Sequence, residues 1–120
     1  MNSFRKLKVY IRAKELVRDI YTLLKKFPRE EQFVLCDQLR RAVISIPSNI
    51  AEGSGRMSDK DQAHFYSIAY GSLMEVLAQL DVACDLGYVS CEEFINFEKV
   101  IDEEAKMISG LIAKRNTTKL

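Results

Sequence analysis

The 120-residue sequence has no tryptophan, one histidine, two prolines and only five glycines. So few turn-forming residues exclude a β-sandwich or β-barrel, whose many short strands need turns rich in glycine and proline. No apolar run approaches the ~20 residues that span a bilayer. Residues 1–6 are followed by mixed charge rather than by the apolar stretch of a secretory signal. The sequence therefore predicts an all-α, cytoplasmic protein that does not engage a membrane.

Neither net charge nor cysteine content points to one class of function. Eighteen Lys and Arg against seventeen Asp and Glu leave a formal charge of +1, so the whole chain carries no strong basic signal for nucleic acid. The three cysteines are odd in number and form no C-x-x-C pair, which argues against a disulfide scaffold and a zinc site. We expect Cys36 and Cys84 to be buried and Cys91 to be exposed. No cofactor is indicated.

Apolar residues recur with helical periodicity in four segments. Pro28, Gly53–Gly55 and Gly87 separate the segments, and Ser58 and Ser90 are suited to cap the third and fourth. The predicted helices cover about residues 6–27, 29–52, 59–86 and 91–115. The predicted core stripe of the third helix comprises Phe65, Ala69, Leu73, Val76, Leu77, Leu80 and Cys84. Short connections predict an antiparallel up-down-up-down four-helix bundle as one domain over residues 1–115, with a polar tail over 116–120.

The second helix contains Pro47, yet its apolar stripe keeps its phase, so a single kinked helix is predicted. We expect the side chains of Ser48 and Asn49 to satisfy backbone groups that the proline frees. Glu52 is expected to pair with Arg40, Arg41 or Arg56. The predicted structural motif thus comprises Ile46, Pro47, Ser48, Asn49, Glu52 and Gly53.

The third helix has too little charge for an ordinary bundle helix. Residues 62–74 carry no formal charge, and no Lys or Arg occurs within residues 61–90. This pattern predicts a second buried surface and self-association, most simply as a cyclic homo-oligomer. The alternative is a set of isolated apolar surface residues, which are common. The candidate interface residues are Phe33, Ile44, His64, Ser67, Gly71, Ala78 and Val82.

Positive charge is concentrated in the first helix. Residues 1–30 hold nine Lys or Arg against three Asp or Glu, a balance of +6, and the remaining residues have a balance of −5. One stripe of the first helix, at spacings i, i+4, i+7 and i+11, consists of Lys14, Arg18, Tyr21 and Lys25. Repeated in an oligomer, such a stripe would bind RNA or DNA without sequence preference. The alternative is a solvated face that Glu15 and Asp19 balance in part. The candidate nucleic-acid-binding residues are Lys14, Arg18, Tyr21 and Lys25, with Arg40, Arg41 and Arg56.

Motifs for catalysis are absent from the sequence. There is no H-E-x-x-H, G-x-x-x-x-G-K-[ST] or G-x-S-x-G pattern. Asp61 and His64 have the i, i+3 spacing of di-iron bundles, but that design needs two such pairs and two further carboxylates. The sequence therefore predicts no catalytic residue and no metal. A metal-dependent bundle enzyme using Asp61, His64 and Glu104 is the less favoured alternative.

Residues 39–56, L-R-R-A-V-I-S-I-P-S-N-I-A-E-G-S-G-R, resemble the 23S rRNA intervening-sequence protein family, a family of four-helix bundle proteins. The resemblance extends to residues 4–9, 27–31, 71–73 and 85–88. Tyr10 stands where the family often has tryptophan, and Ser54 where it often has an aromatic residue. The family name reflects genes within insertions in bacterial 23S rRNA genes, which is a genomic location and not an activity.

The resemblance implies an antiparallel four-helix bundle that assembles into a ring-shaped homopentamer. A related branch, the accessory variability proteins of diversity-generating retroelements, binds nucleic acid and a reverse transcriptase. The resemblance therefore implies these two partners, although this chain is less basic than the proteins of that branch. We therefore expect a non-enzymatic, homo-oligomeric scaffold that binds RNA or DNA through its basic first helix. The alternative is a protein-interaction ring whose partner is a nucleic-acid enzyme and which does not itself contact nucleic acid.

Overall fold

The computed structural model describes residues 3–117 of the chain. The helices are α1 (Lys8–Leu24), α2 (Leu35–Ser54), α3 (Asp59–Asp85) and α4 (Cys91–Thr117), with short 3-10 helices at Ser3–Lys6 and Arg29–Glu31. No strand occurs in the described range, so the all-α prediction and the four predicted helices are confirmed. α4 includes residues 116 and 117 of the predicted tail, and residues 118–120 lie outside the described residues.

Side-chain caps and one glycine set the ends of α3 and α4 as the sequence predicts. The Ser58 hydroxyl accepts a hydrogen bond from the backbone N–H of Asp61 at 3.1 Å. Ser90 and Glu93 form a reciprocal capping box, with backbone-to-side-chain distances of 2.9 and 3.1 Å. Gly87 has a φ of 84°, which a residue with a side chain rarely adopts, so it suits the chain reversal after α3.

The second helix begins later than predicted, at Leu35 rather than at position 29. The linker before it is used to cap α1, because the Gln32 amide donates to the carbonyl oxygen of Leu24 at 3.0 Å. Arg40 holds the linker in turn, donating to the backbone oxygen of Gln32 at 3.1 Å and to its side-chain oxygen at 2.7 Å. These bonds satisfy carbonyl groups at the end of α1 that would otherwise lack partners, and they keep the linker out of α2.

α2 packs most extensively on α3, α3 packs next most extensively on α4, and α1 packs more on α2 than on α4. The core prediction for α3 is wrong by one position at each end. Phe65 and Cys84 are half-buried, whereas Tyr66 and Ala83 are buried. Cys36 is buried as predicted, Cys84 is half-buried, and Cys91 is exposed. The largest buried side chains of the core are Leu16, Ile20, Leu24, Leu39, Ile46, Ile50, Tyr66, Leu73, Leu80, Ile101 and Ile108.

α2 continues through the buried Pro47 without interruption. The Ser48 hydroxyl donates to the carbonyl oxygen of Ile44 at 2.9 Å, and the Asn49 amide donates to that of Ser45 at 2.8 Å. Pro47 has no N–H, so the carbonyl of Val43, four residues earlier, loses its usual donor. The carbonyls of Ile44 and Ser45 are the next two along the chain. The prediction that Ser48 and Asn49 satisfy the backbone group freed by the proline is therefore wrong. Both side chains bond back to the preceding turn, as short polar side chains do within helices.

Two contacts join α2 closely to α3. The Ser45 and Ser72 hydroxyls are hydrogen bonded at 2.8 Å, and Ser45 also accepts from the Asn49 amide at 2.9 Å. About two turns further along α2, the buried Gly53 lies directly against the ring of Tyr66. Because Gly53 has no side chain, the ring fits against the backbone of α2 and the two helices approach closely there.

Glu52 and Arg56 form an ion pair at 2.9 Å. Arg56 is one of the three arginines predicted as partners of Glu52. The two side chains are one helical turn apart, an exposed arrangement that contributes little to stability.

Glu104 of α4 is an acidic residue in the core. It is 1% exposed, and neither oxygen of its carboxyl group has a hydrogen-bond partner among the described residues. Burial raises the pKa of Glu104 to about 8, and the Arg12 guanidinium opposes that rise. Arg12 itself is paired with the exposed Glu103 at 3.8 Å. The carboxyl of Glu104 is therefore mostly neutral at pH 7.

No helix within residues 3–117 combines the length and the apolar character needed to cross a membrane.

Replacing Gly53 by alanine should destabilise the fold. An alanine Cβ would lie 2.8 Å from Cε1 of Tyr66 and 3.2 Å from the carbonyl oxygen of Gln62, and the buried ring has no space to move aside. We expect the free energy of unfolding, measured by urea denaturation, to fall by about 1–3 kcal/mol. Gly110→Ala is the matched control, because a Cβ at Gly110 meets no described atom within 4 Å. Gly110→Ala should raise the free energy of unfolding by about 0.5–1 kcal/mol. An equal rise for Gly53→Ala would contradict the close contact with Tyr66.

Replacing Glu104 by glutamine should remove a pH dependence of stability. The folded chain holds a proton on Glu104 that the unfolded chain releases above its ordinary pKa near 4.5. Stability should therefore decrease as pH rises from about 4.5 to about 8 and level off beyond it. Glu104→Gln should flatten this slope and raise the free energy of unfolding at pH 8 by roughly 3–5 kcal/mol. Asp102→Asn, at an exposed neighbouring position, is the control and should leave the slope unchanged.

Candidate nucleic-acid interface

The outward face of α1 carries the predicted basic stripe. The apolar arc of α1 packs into the core, so the opposite side of the helix meets solvent. Lys14, Arg18 and Tyr21 are exposed on that side, and Lys25 is exposed at the C-terminal cap. No salt bridge joins any of the three cations to an acidic side chain within residues 3–117. The structure thus brings this part of the predicted site together on one surface.

Beside this stripe lies an open groove between the first 3-10 helix, α1 and α2. Its volume is about 510 Å³. Two aromatic side chains stand at one end, with the rings of Phe4 and Tyr10 edge to face at a centroid distance of 4.9 Å. The Lys14 ammonium lies 5.3 Å from the centroid of the Tyr10 ring. The groove is lined by Phe4, Tyr10, Lys14, Val17, Arg18, Ile44, Pro47, Ser48 and Ala51.

An apolar floor beside two cations suits a ligand with a planar apolar body and negative charge, as nucleotides have. Sequence reasoning missed this groove. Its aromatic end depends on the packing of the first 3-10 helix on both α1 and α2, and no local pattern of spacing shows that contact. The available indication was the pair of aromatic residues, Phe4 and Tyr10, just before Lys14.

A second, smaller groove of about 250 Å³ lies on the other side of Arg18. Its lining includes Glu15 and Asp19, the two acidic residues expected to balance the stripe in part, together with Arg12. Arg18 therefore lines both grooves, whereas Lys14 lines only the larger one. Of the cations of the stripe, Arg18 thus adjoins the two acidic residues in the smaller groove.

The other three predicted nucleic-acid-binding residues lie elsewhere and already have internal contacts. Arg40 binds the linker before α2, as described above. Arg41 is paired with Asp37 at 3.2 Å. Arg56 is paired with Glu52, and its guanidinium lies 4.4 Å from the centroid of the Phe65 ring. These side chains would have to give up or share internal contacts in order to bind phosphate.

The candidate interface residues of α3 form an exposed face. His64, Ser67, Gly71, Ala78 and Val82 are all exposed. Sequence reasoning omitted Ile68, which lies on the same face and is 39% exposed. Lys60, in the first turn of α3, is the one basic residue of the helix, since no Lys or Arg occurs within residues 61–90.

Phe33 does not share a helix face with Ile44. The two residues are eleven positions apart, a spacing that predicts one common face within the expected second helix, but this prediction is wrong because Phe33 precedes α2. Phe33 is nonetheless 88% exposed in the linker. Ile44 is 43% exposed and lines the larger groove. Both remain candidate interface residues.

The metal-enzyme alternative receives no support from the geometry. No group of three or more His, Cys, Asp or Glu residues that could hold a metal ion occurs in the part of the chain that the structure describes. Asp61 and His64 are exposed near the start of α3, and Glu104 is enclosed in the core. These three side chains are therefore not brought together.

A solved structure with the same fold matches this chain. It is a crystal structure of a protein of unknown function from the S23 ribosomal protein family of Bacteroides thetaiotaomicron. Its TM-score is 0.80 at 24% sequence identity, and the match covers 87% of this chain and 97% of the other. No functionally curated protein matches the chain. A family model described as 23S rRNA-intervening sequence protein matches residues 5–110, and the chain therefore belongs to that family.

Proposed function

We propose that this protein is a non-enzymatic, homo-oligomeric scaffold that binds RNA or DNA without sequence preference through the basic face of α1. The observation that carries the proposal is the exposure of Lys14, Arg18 and Lys25 on one surface, without a salt bridge to any described acidic residue. Cations presented in this way bind phosphates and release the counterions condensed on nucleic acid.

The groove beside α1 adds a surface for bases. Phe4 and Tyr10 offer ring edges and faces, and Lys14 and Arg18 stand next to them. A flexible or single-stranded segment can place a base against the apolar lining while its phosphates meet the two cations. A helical duplex would use mainly the charges, because its bases are already stacked.

Assembly is the second part of the proposal. The helices alternate in direction around the bundle, and copies of the chain associate through the outer face of α3, with Phe33 and Ile44 contributing from the α2 side. Val82 and Ile68 are 51% and 39% exposed in the single chain, which favours a further partner for α3. A closed ring, a pentamer by the family resemblance, repeats the α1 face around its circumference. Repetition strengthens binding, since one long nucleic acid contacts several copies at once.

A protein-interaction ring is the second candidate. The apolar lining of the groove, with Val17, Ile44 and Pro47, also suits a helix of a protein partner such as a nucleic-acid enzyme. Salt separates the two functions, because phosphate contacts weaken steeply with salt and apolar packing does not.

The double variant Lys14→Ala/Lys25→Ala should weaken nucleic-acid binding. Affinities for a labelled RNA hairpin and a DNA duplex are measured by fluorescence anisotropy between about 50 and 200 mM salt. We expect affinity to fall by about tenfold or more at the lower salt. The slope of log affinity against log salt should become less steep by about 2 for each copy in contact.

The control for this pair is Lys99→Ala/Lys106→Ala, which removes two exposed lysines from α4 and so changes net charge equally. Equal losses in the two double variants would mean that only net charge matters and would overturn the assignment to α1. Absence of binding by the unaltered protein at low salt would leave the protein-interaction ring as the better account.

Replacing Val82 by glutamate should disrupt assembly. A carboxylate on the outer face of α3 would be buried without a partner between copies, beside the acidic residues Asp81 and Asp85. We expect the mass from light scattering to fall toward that of a single chain while helix content stays unchanged by circular dichroism. Ile95→Glu, at a 48% exposed position of α4, is the control and should assemble normally. Full assembly of the Val82→Glu protein would rule out this face as the contact.

A further inference from the structure

An open groove of about 370 Å³, the α3–α4 groove, lies between the last two helices. Its lining residues on α3 are spaced i, i+3, i+4 and i+7, so they share one face of that helix over two turns. Its two lining residues on α4 are spaced i, i+4. The groove thus follows the two helices for one to two turns. The lining consists of Met74, Leu77, Ala78 and Asp81 of α3 and of Phe94 and Glu98 of α4.

The floor of the α3–α4 groove is apolar and is held in place by the fold. Met74, Leu77 and Phe94 are half-buried and pack against the hydrophobic core. Ala78 is exposed and has only a methyl group, so a partner can approach the backbone of α3 at that point. Apolar side chains of a partner that cover this floor would gain free energy by leaving water.

Two carboxylates border the apolar floor. Asp81 is exposed and Glu98 is half-buried, and no salt bridge joins either of them to a basic residue within residues 3–117. The surroundings carry charge of the same sign, because residues 61–98 contain seven Asp or Glu and no Lys or Arg. Of these seven acidic residues, Glu93 is paired with Lys26. The charge of the α3–α4 groove is therefore complementary to a positively charged partner.

We propose that the α3–α4 groove docks a basic amphipathic helix of a protein partner, whose apolar face packs on the floor and whose Lys or Arg residues meet Asp81 and Glu98. A helix that lies in a groove uses residues at i, i+3, i+4 and i+7, which is also the spacing of the lining on α3. This inference goes beyond the function proposed above and does not rest on it.

The other binding surfaces of the molecule differ from the α3–α4 groove in charge or position. Lys14 and Arg18 line the larger groove beside α1, so a basic helix would be repelled there. Of the seven candidate interface residues, only Ala78 also lines the α3–α4 groove. Association of copies through the outer face of α3 therefore need not cover the groove.

The test measures binding of a synthetic helical peptide of about 15 residues to the full-length protein by fluorescence anisotropy. The peptide has leucine at positions i, i+3, i+4 and i+7 and lysine elsewhere, so its helix has one apolar and one basic face. We expect saturable binding at about 50 mM salt that weakens but persists at about 200 mM, because salt screens ion pairs and not apolar contacts. A peptide of the same composition in scrambled order should bind about tenfold more weakly, since it lacks a continuous apolar face. A peptide with glutamate in place of lysine should not bind.

Two double variants of the protein test the role of the two carboxylates. Asp81→Asn/Glu98→Gln should weaken binding of the basic peptide by about three- to tenfold at the lower salt. Asp102→Asn/Glu30→Gln is the control, because it removes two exposed carboxylates outside the groove and changes net charge equally. The control variant should bind as the unaltered protein does. Equal losses in the two double variants would mean that only net charge matters and would overturn the proposal.

A basic peptide with benzoylphenylalanine in place of one leucine locates the binding site by photo-cross-linking. Trypsin releases the fragment 61–99, which contains the entire lining of the α3–α4 groove, because no Lys or Arg lies between Lys60 and Lys99. We expect the cross-link within residues 74–81 or 94–98 of this fragment. A cross-link predominantly in α1 or α2 would overturn the proposal.

Absence of saturable binding by the unaltered protein would overturn the proposal as well. If the light-scattering mass of Asp81→Asn/Glu98→Gln also fell below that of the unaltered protein, the groove would be assigned to a second copy of the chain instead.

Discussion

The close packing of α2 against α3 is the contact on which the rest of the structure depends. Gly53 allows the ring of Tyr66 to lie against the backbone of α2, and the Ser45–Ser72 hydrogen bond joins the same two helices nearby. These two contacts set the position of α2 in the core. Pro47 and Ser48, which lie between Ser45 and Gly53 in α2, line the larger groove. A motif that serves packing therefore also positions the candidate binding surface.

Charge and apolar surface are separated in this molecule. The first thirty residues have a balance of +6, and their exposed cations lie along α1. Beyond Lys60 in the first turn, the outer face of α3 has apolar and acidic residues but no basic ones. A surface with so little positive charge does not attract phosphate, so α3 suits contact between copies while α1 suits nucleic acid. A ring would combine the two surfaces, because assembly through α3 multiplies the α1 face.

Local patterns in the sequence predicted the four helices, the caps at Ser58 and Ser90 and the end of α3 at Gly87, since each depends on residues close together in the chain. Contacts between distant segments were not predictable in this way. Gln32 was predicted to lie in the second helix, but it precedes α2 and caps α1. Tyr66 rather than Phe65 is buried in the core, because Gly53 has no side chain to occupy the position of its ring. The groove was missed for the same reason, since three separate elements build it. The basic stripe was found because it lies within one helix.

The measurement that tests the central claim most directly is the mass of the unaltered protein in solution, by light scattering at low and high salt, with and without a short RNA hairpin. The account predicts a ring of several chains at both salt concentrations, with added mass from RNA only at low salt. A single-chain mass at both salt concentrations would contradict it, because the outer face of α3 would then have no second copy to cover it.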